Sequence, residues 1–162
     1  MKESLLDSVE ETEAALAREE ELTQQKNSGP DQDDLRMFLE SVIQSKENRL
    51  ELSEIELGDK GAQTVAGLLA NAPDIEHVQL AKCNIGDAGC KEVFKVVGAS
   101  KTVKSLDLSE NRISDISCEF VITAMKNNNT LEVLKLDQNQ IKSRLALNKL
   151  KMLGNVKRQL II

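Results

Sequence analysis

The chain repeats itself at a fixed interval of 28. Leu50, Val78, Leu106 and Leu134 stand at this interval, and Leu52, Leu80, Leu108 and Leu136 follow two places on. A third apolar column runs Leu57, Ile85, Ile113 and Ile141. A fourth, three places before each start, runs Ile75, Val103 and Leu131 and fails only at Glu47. Between them a column reads Ile55, Cys83, Asn111 and Asn139, so an asparagine sits inside an apolar frame in the last two copies. Four copies in register, with no insertion, admit few architectures. A unit this short buries its apolar face only against its neighbours, so the chain has to stack.

Each copy carries the same order of elements. The alternation of apolar and polar residues around each start predicts a short strand. Then come Gly58-Asp59, Gly86-Asp87 and Ser114-Asp115, a repeated turn. Apolar residues at helical spacing follow: Val65, Leu68, Leu69; Val93, Val96, Val97; Val121, Ala124, Met125; and Met152, Leu153 in the last copy. That pattern predicts a helix burying one face. Return loops end in small or polar residues, as in Asn71-Ala72-Pro73-Asp74 and Asn127-Asn128-Asn129-Thr130. The latter spells a glycosylation sequon, but its place in the repeat reads as a return loop. Parallel strands joined by helices make right-handed crossovers. The expected fold is an α/β solenoid with a parallel concave sheet and convex helices. Asn111 and Asn139 lie where the chain leaves its strand, where a buried amide can pair with backbone across the turn. They are expected to stack as a structural ladder with Cys83 as the small substitute. Ile55, being apolar, fits a terminal unit that adjoins a different element.

The 28-residue unit with "LDLSENRISD" and a full helix resembles the ribonuclease-inhibitor type of leucine-rich repeat. The same unit occurs in Ran GTPase-activating proteins, in innate-immune receptors and in the tropomodulin C-terminal domain. The resemblance covers about Leu50 to Gly154. A cap helix followed by "NRLELSEIELGDKGAQTVAGLLANAPDIEHVQL" is similar in layout to the tropomodulin repeat domain. That family carries an extra repeat and a long actin- and tropomyosin-binding N-terminal half, at most vestigial here. The resemblance implies a protein-binding scaffold, with actin as one partner it allows. A Ran-type GTPase activator would need a catalytic arginine in an early loop; Arg49 is the only arginine near such a place, and it is expected to precede the first strand.

Three regions follow: an acidic arm over 1–29, a helical N-terminal cap over 30–49, and four repeats over 50–162 starting at 50, 78, 106 and 134. Asp31–Lys46 has Leu35, Phe38, Leu39, Val42 and Ile43 at helical spacing, and aspartates crowd its first turn. The open edge of the first repeat needs such a cap, and Phe38 is expected to seal it. Residues 1–34 hold eleven acids and three bases, a net of −8. The rest of the chain, from 35 to 162, holds sixteen acids and eighteen bases, a net of +2. Leu5, Val9 and Leu16 line one narrow face of the arm. Three readings stand for it: a solvated, partly helical arm; a helix that docks in a partner's groove or pairs in a coiled coil; or a segment folding back on the basic C-terminal face. From Gln138 to Ile162 there are six bases and no acid, which reads as a polar cap or as a docking surface for an acidic partner.

Several function classes drop out. No run of apolar residues is long enough to span a membrane, and no signal-peptide pattern opens the chain. Cys83, Cys90 and Cys118 are an odd number of cysteines, which reads as reduced thiols in a cytoplasmic setting. A net charge of −6, with neither Trp nor Tyr, argues against nucleic acid as a partner. "CNIGDAGC" lacks zinc spacing and "GDAGCK" lacks the phosphate-loop pattern, so neither metal nor cofactor is expected. His77 is the only histidine. Its column neighbours are Arg49, Ser105 and Val133, and the repeat geometry is not expected to set a serine or cysteine beside it as a nucleophile. A triad must converge in a pocket, and an open sheet offers none. No catalytic residue is expected.

Function then falls to surfaces. Residues alternating with the buried leucines face the concave side. The columns are Arg49, His77, Ser105, Val133; Glu51, Gln79, Asp107, Lys135; and Ser53, Ala81, Ser109, Asp137. Four strands make a face about 15 Å wide. It carries no aromatic anchor, so a modest polar contact within a larger assembly fits better than a tight stand-alone complex. Val133, Leu145 and Leu160-Ile161-Ile162 are the apolar candidates for a docking edge, and the final triplet is alternatively a seal on the last helix.

Overall fold

The computed structural model describes residues 29–154 and 159–162. The arm residues Leu5, Val9 and Leu16 lie outside the described residues. The order of elements is α1 (Gln32–Ser45), β1 (Arg49–Glu51), α2 (Gly58–Leu69), β2 (His77–Gln79), α3 (Asp87–Ala99), β3 (Ser105–Asp107), a 3-10 turn (Asp115–Ser117) running into α4 (Cys118–Asn127), β4 (Val133–Lys135), α5 (Arg144–Lys151) and β5 (Gln159–Ile161). The five strands form one parallel sheet in chain order. Leu50 pairs with Val78, Val78 with Leu106 and Leu106 with Leu134, so the sheet register follows the sequence period.

The fifth strand breaks the period. Leu134 pairs with Leu160, two places short of Ile162, where the period would put its partner. Leu160 and Ile161 therefore join the sheet, and Leu160 and Ile162 pack against the core. The last helix keeps the repeat register but ends early, at Lys151. Its buried face is Ala146 and Leu150, while Met152 lies beyond its end and is 85% exposed. Met152 and Leu153 thus are not the buried helical pair expected from the period.

Layers of aliphatic side chains fill the space between sheet and helices. Leu52, Leu80, Leu108 and Leu136 are all buried, as are Val65, Val93, Val121 and Met125 on the helices. Phe94 is the one aromatic fully inside. After each of the first four strands the same repeat position is left-handed: Glu54, Lys82, Glu110 and Gln138, with φ between 54 and 67°; after β2 Asn84 is left-handed too. This conformation costs roughly 1–2 kcal/mol per non-glycine residue. It persists because each turn is tied to the next repeat: the Glu54, Lys82 and Glu110 amides donate to the carbonyls of Ala81, Ser109 and Asp137.

Two side-chain ladders stitch the repeats. Asn111 Nδ2 donates to the carbonyls of Leu80, Leu108 and Ser109 at 2.8–3.1 Å, and its Oδ1 accepts from the amides of Cys83 and Ile85 at 3.0 Å. Asn139 does the same one repeat on, reaching Leu108, Leu136 and Ile113. Cys83 Sγ makes two links of this kind, to the Leu52 carbonyl at 3.1 Å and to the Ala81 carbonyl at 3.4 Å. Ile55, in the same column, is 37% exposed. The second ladder is formed by the aspartates of the repeated turn. Asp59 accepts from the Gly86 and Gly89 amides, Asp87 from Ser114 and Ser117, and Asp115 from the Lys142 and Ser143 amides. A Cβ at Gly89 would lie 2.8 Å from Asp59 Oδ1 and 2.9 Å from the Ala62 Cβ, so this junction demands glycine.

At the N-terminal end, Asp31 caps α1 through the Asp33 amide. The helix covers the first repeat with Leu35 and Leu39, which are buried, while Val42 and Ile43 pack partly against the core. Phe38 does not seal the edge; it is 47% exposed. One residue along a helix is a rotation of about 100°, which carries Phe38 from the Leu35–Leu39 line to its shoulder. Leu39→Ala is expected to cost about 2–4 kcal/mol in urea unfolding, as large-to-small core changes do. Phe38→Ala is expected to stay within about 0.5 kcal/mol of wild type. Equal costs would show that the aromatic ring, not the leucines, closes the edge.

All three thiols are free and buried. Burial pushes Cys83 and Cys118 up to about 11 and Cys90 up to about 12. An aromatic disulfide reagent at pH 8 is therefore expected to titrate none of them in the folded protein and all three in urea. A thiol that reacts at once in the native state would contradict this packing.

Candidate interaction surface

The concave face is a grid. Strand pairing aligns Arg49, His77, Ser105, Val133 and Gln159 as one column and Glu51, Gln79, Asp107, Lys135 and Ile161 as the next. Ser53, Ala81, Ser109 and Asp137 follow beside them. Neighbouring strands lie about 4.8 Å apart, so side chains one period apart stand within hydrogen-bonding reach. Five strands, not four, make the face.

In the first column Arg49 opens β1 rather than preceding it, and its side chain is exposed. It sits in sheet register with His77, not in a loop. His77 Nδ1 is 2.8 Å from Ser105 Oγ, so the period does place a serine beside the histidine. On the other side of the ring, Nε2 is 4.0 Å from Glu76 Oε2. Glu76 is itself engaged by Lys104 Nζ at 2.8 Å, whose hydrogen bond holds the carboxyl below its usual range. Ser105, His77 and Glu76 thus form a row on the open sheet face. Among the described residues no cluster of His, Cys, Asp and Glu is arranged to hold a metal ion.

The second and third columns meet at the β3–β4 corner. Asp107, 8% exposed, accepts from the Ser109 amide and hydroxyl at 3.0 and 2.6 Å and from Lys135 Nζ at 2.8 Å. Burial pushes its carboxyl upward, but the bonds from Lys135 and Ser109 outweigh this and hold it below the usual range. The same bond to Asp107 raises Lys135. Beside this pair Asp137 Oδ1 is buried with no hydrogen-bond partner among the described residues. Val133 and Ile161 flank the corner, both half-buried.

A further column stands at the rim. Lys82 lies between Glu54 at 3.2 Å and Glu110 at 3.8 Å. Glu56, Asn84 and Arg112 are hydrogen-bonded in the same manner. Neither this column nor the Glu76–Lys104 pair is among the residues expected from sequence. Their signal is nonetheless present: charges of alternating sign at the repeat interval. The other apolar candidates separate. Leu145 is 66% exposed in the first turn of α5, whereas Leu160 packs into the core.

A family model described as "Leucine Rich repeat" matches residues 71–94 and 99–120. No curated protein sequence matches the chain. Among solved structures, the fold is similar to that of leiomodin-1 actin-binding site 2, with a TM-score of 0.67 and 18% identity over 83% of this chain and 79% of that one. It is also similar to the tropomodulin C-terminal domain from Caenorhabditis elegans, with a TM-score of 0.65 and 11% identity over 82% of this chain and 81% of that one. The chain carries leucine-rich repeats and folds as an α/β solenoid, and such repeats indicate a protein-interaction domain. Its repeat domain resembles that of tropomodulin. Folds of this sort are typically non-enzymatic binding domains. No helix among the described residues is long and apolar enough to cross a membrane.

Proposed function

We propose that the chain is a non-enzymatic adaptor that docks a protein partner on its concave sheet as one subunit of a larger assembly, in the cytoplasm. The observation that carries this reading is the β3–β4 corner. A buried carboxylate oxygen without a donor is costly. Asp137 Oδ1 is such an atom, and it lies on the face that repeat geometry leaves open. A partner's N–H or cationic side chain supplies the donor, and Val133 and Ile161 supply apolar area beside it. Quantitative capture of partners from cell extract tests the reading. Asp137→Ala is expected to lower capture roughly tenfold, the effect of one bond to a charged group worth about 1.5 kcal/mol. Lys126→Glu, on the helical face, should leave it unchanged. Capture that ignores Asp137 would move the docking surface elsewhere.

A second reading is a cytoskeletal regulator that binds actin. It is favoured by the likeness in fold, over most of the chain, to a domain named as an actin-binding site of leiomodin-1. Elongation rates at filament ends decide it. Rates unchanged by a large excess of the protein would dispose of actin as the partner.

A further inference from the structure

We infer that residues 1–28 dock on the convex face of this same chain, in the groove between α3 and α4, with the leucine-bearing stretch 5–16 as the occupant. The groove has a volume of about 690 Å³. Its apolar floor includes Phe94, Gly98, Ala124 and Phe120, and Lys91 and Lys95 stand along its α3 side. Gly98 brings the two helices together: a Cβ there would lie 2.8 Å from the Ala124 Cβ. Phe120 is 40% exposed, a large apolar surface for a helix face that has no further layer over it. Lys91 Nζ sits 5.2 Å from the centre of that ring. It makes no ion pair among the described residues, whereas Lys95 shares only an exposed contact with Glu92 at 3.5 Å.

Charge selects the occupant. Asp59, Asp87 and Asp115 are taken up by the aspartate ladder. That leaves Glu92 and Glu119 as the acids of α2–α5 and the 3-10 turn, against seven bases. The helical layer is thus basic on its outer side. Residues 1–28 hold eight acids and three bases, a net of −5. Leu5, Val9 and Leu16 fall on one face of a helix, with Glu10, Glu11 and Glu13 around them. An acidic segment with a thin apolar stripe fits an apolar groove edged by lysines. Alone such a stripe is too narrow to hold a helix; packed in the groove it has the surface it lacks.

The chain can reach. Gly29 lies against the Glu56 carbonyl, at the turn that enters α2. From there the groove is about two helix spacings away, roughly 20 Å. The stretch 17–28 spans up to about 40 Å when extended.

Carbodiimide coupling of the full chain at low micromolar concentration tests this, with the sites mapped by mass spectrometry. The Glu119–Lys149 ion pair is the internal control for coupling. The expected result is amide links from Glu10, Glu11 or Glu13 to Lys91 or Lys95 within single chains. Val9→Asp, which lies outside the repeats, should lower their yield at least fivefold. Phe120→Glu should do the same, and Met37→Glu on α1 should not. Links that join isotopically distinct copies would overturn the inference in favour of a second copy. Links mainly to Lys149 or Lys151 would overturn it in favour of the basic C-terminal end, and an absence of links, or a yield indifferent to Val9→Asp, would overturn it outright.

Discussion

Asn111→Ala is expected to remove a large part of the stability of the fold. The amide side chain makes five hydrogen bonds, three given and two accepted, all at a site that is 6% exposed. Alanine leaves the amides of Cys83 and Ile85 and three carbonyls to find other partners in a water-excluded turn. Each buried group left unpaired costs roughly 1–3 kcal/mol. Some carbonyls keep a backbone partner, so the expected loss is about 3–5 kcal/mol, against about 5–15 kcal/mol for a whole domain. Asn111→Asp is expected to be as severe, because a carboxylate accepts but cannot donate and would face three carbonyl oxygens. Asn139 is only partly buried, so water can replace it there; Asn139→Ala should cost about 1–2 kcal/mol. Urea unfolding of the three variants checks the order. If Asn139→Ala cost as much as Asn111→Ala, burial would not be the reason for the ladder's strength.

The second large effect belongs to Asp87. Its Oδ1 accepts from the Ser114 amide at 2.9 Å and from the Ser117 hydroxyl at 2.5 Å, and its Oδ2 accepts from the Ser114 hydroxyl at 2.6 Å. Asp87→Ala is expected to cost about 2–3 kcal/mol at neutral pH, in keeping with hydrogen bonds to a charged group. The effect should vanish in acid. Burial pushes the Asp87 carboxyl upward, but the bonds from Ser114 and Ser117 outweigh this, and the folded value lies below the ordinary one. A depressed folded value means that the charged form is favoured by folding. The contribution is complete above the ordinary carboxylate value near 4 and is lost as pH falls through the lower folded value. Asp107 is shifted in the same direction, so it too contributes to any acid dependence of the whole fold. The useful quantity is therefore the difference between wild type and Asp87→Ala, followed from pH 7 to pH 2. A gap that stays constant below pH 4 would mean that the carboxylate charge is not what holds the junction.

The strand columns are legible in the sequence because a parallel sheet with constant spacing turns the period into direct neighbours. Any residue facing the groove is found by stepping one period forward or back. The same rule reaches Glu76–Lys104 and Glu54–Lys82–Glu110, but a search for catalytic or apolar anchors passes over paired surface charges. The rule fails where the period itself changes. After α5 the strand pattern is kept by Leu160 and Ile162, two places early, so the fifth strand is hidden from a search at the regular interval. Phe38 departs from expectation for a different reason: residues 35, 38, 39, 42 and 43 all fit a helical stripe, and only packing decides which shoulder faces inward. The unpaired Asp137 oxygen is out of reach of sequence altogether, since it depends on how closely β3 and β4 bury one atom.

The two ladders run in opposite directions. Asparagines reach back toward the preceding unit, while aspartates reach forward to the following one. No unit is self-sufficient, and the array has a polarity, like a chain of hooks and eyes. The forward series has a written stop. Where Asp59, Asp87 and Asp115 lead, the next position is Ser143, whose hydroxyl turns to the Ala146 amide of its own helix. The forward series is thus interrupted by one side chain before the last strand is reached, and placing an aspartate there is the first step in extending it by design.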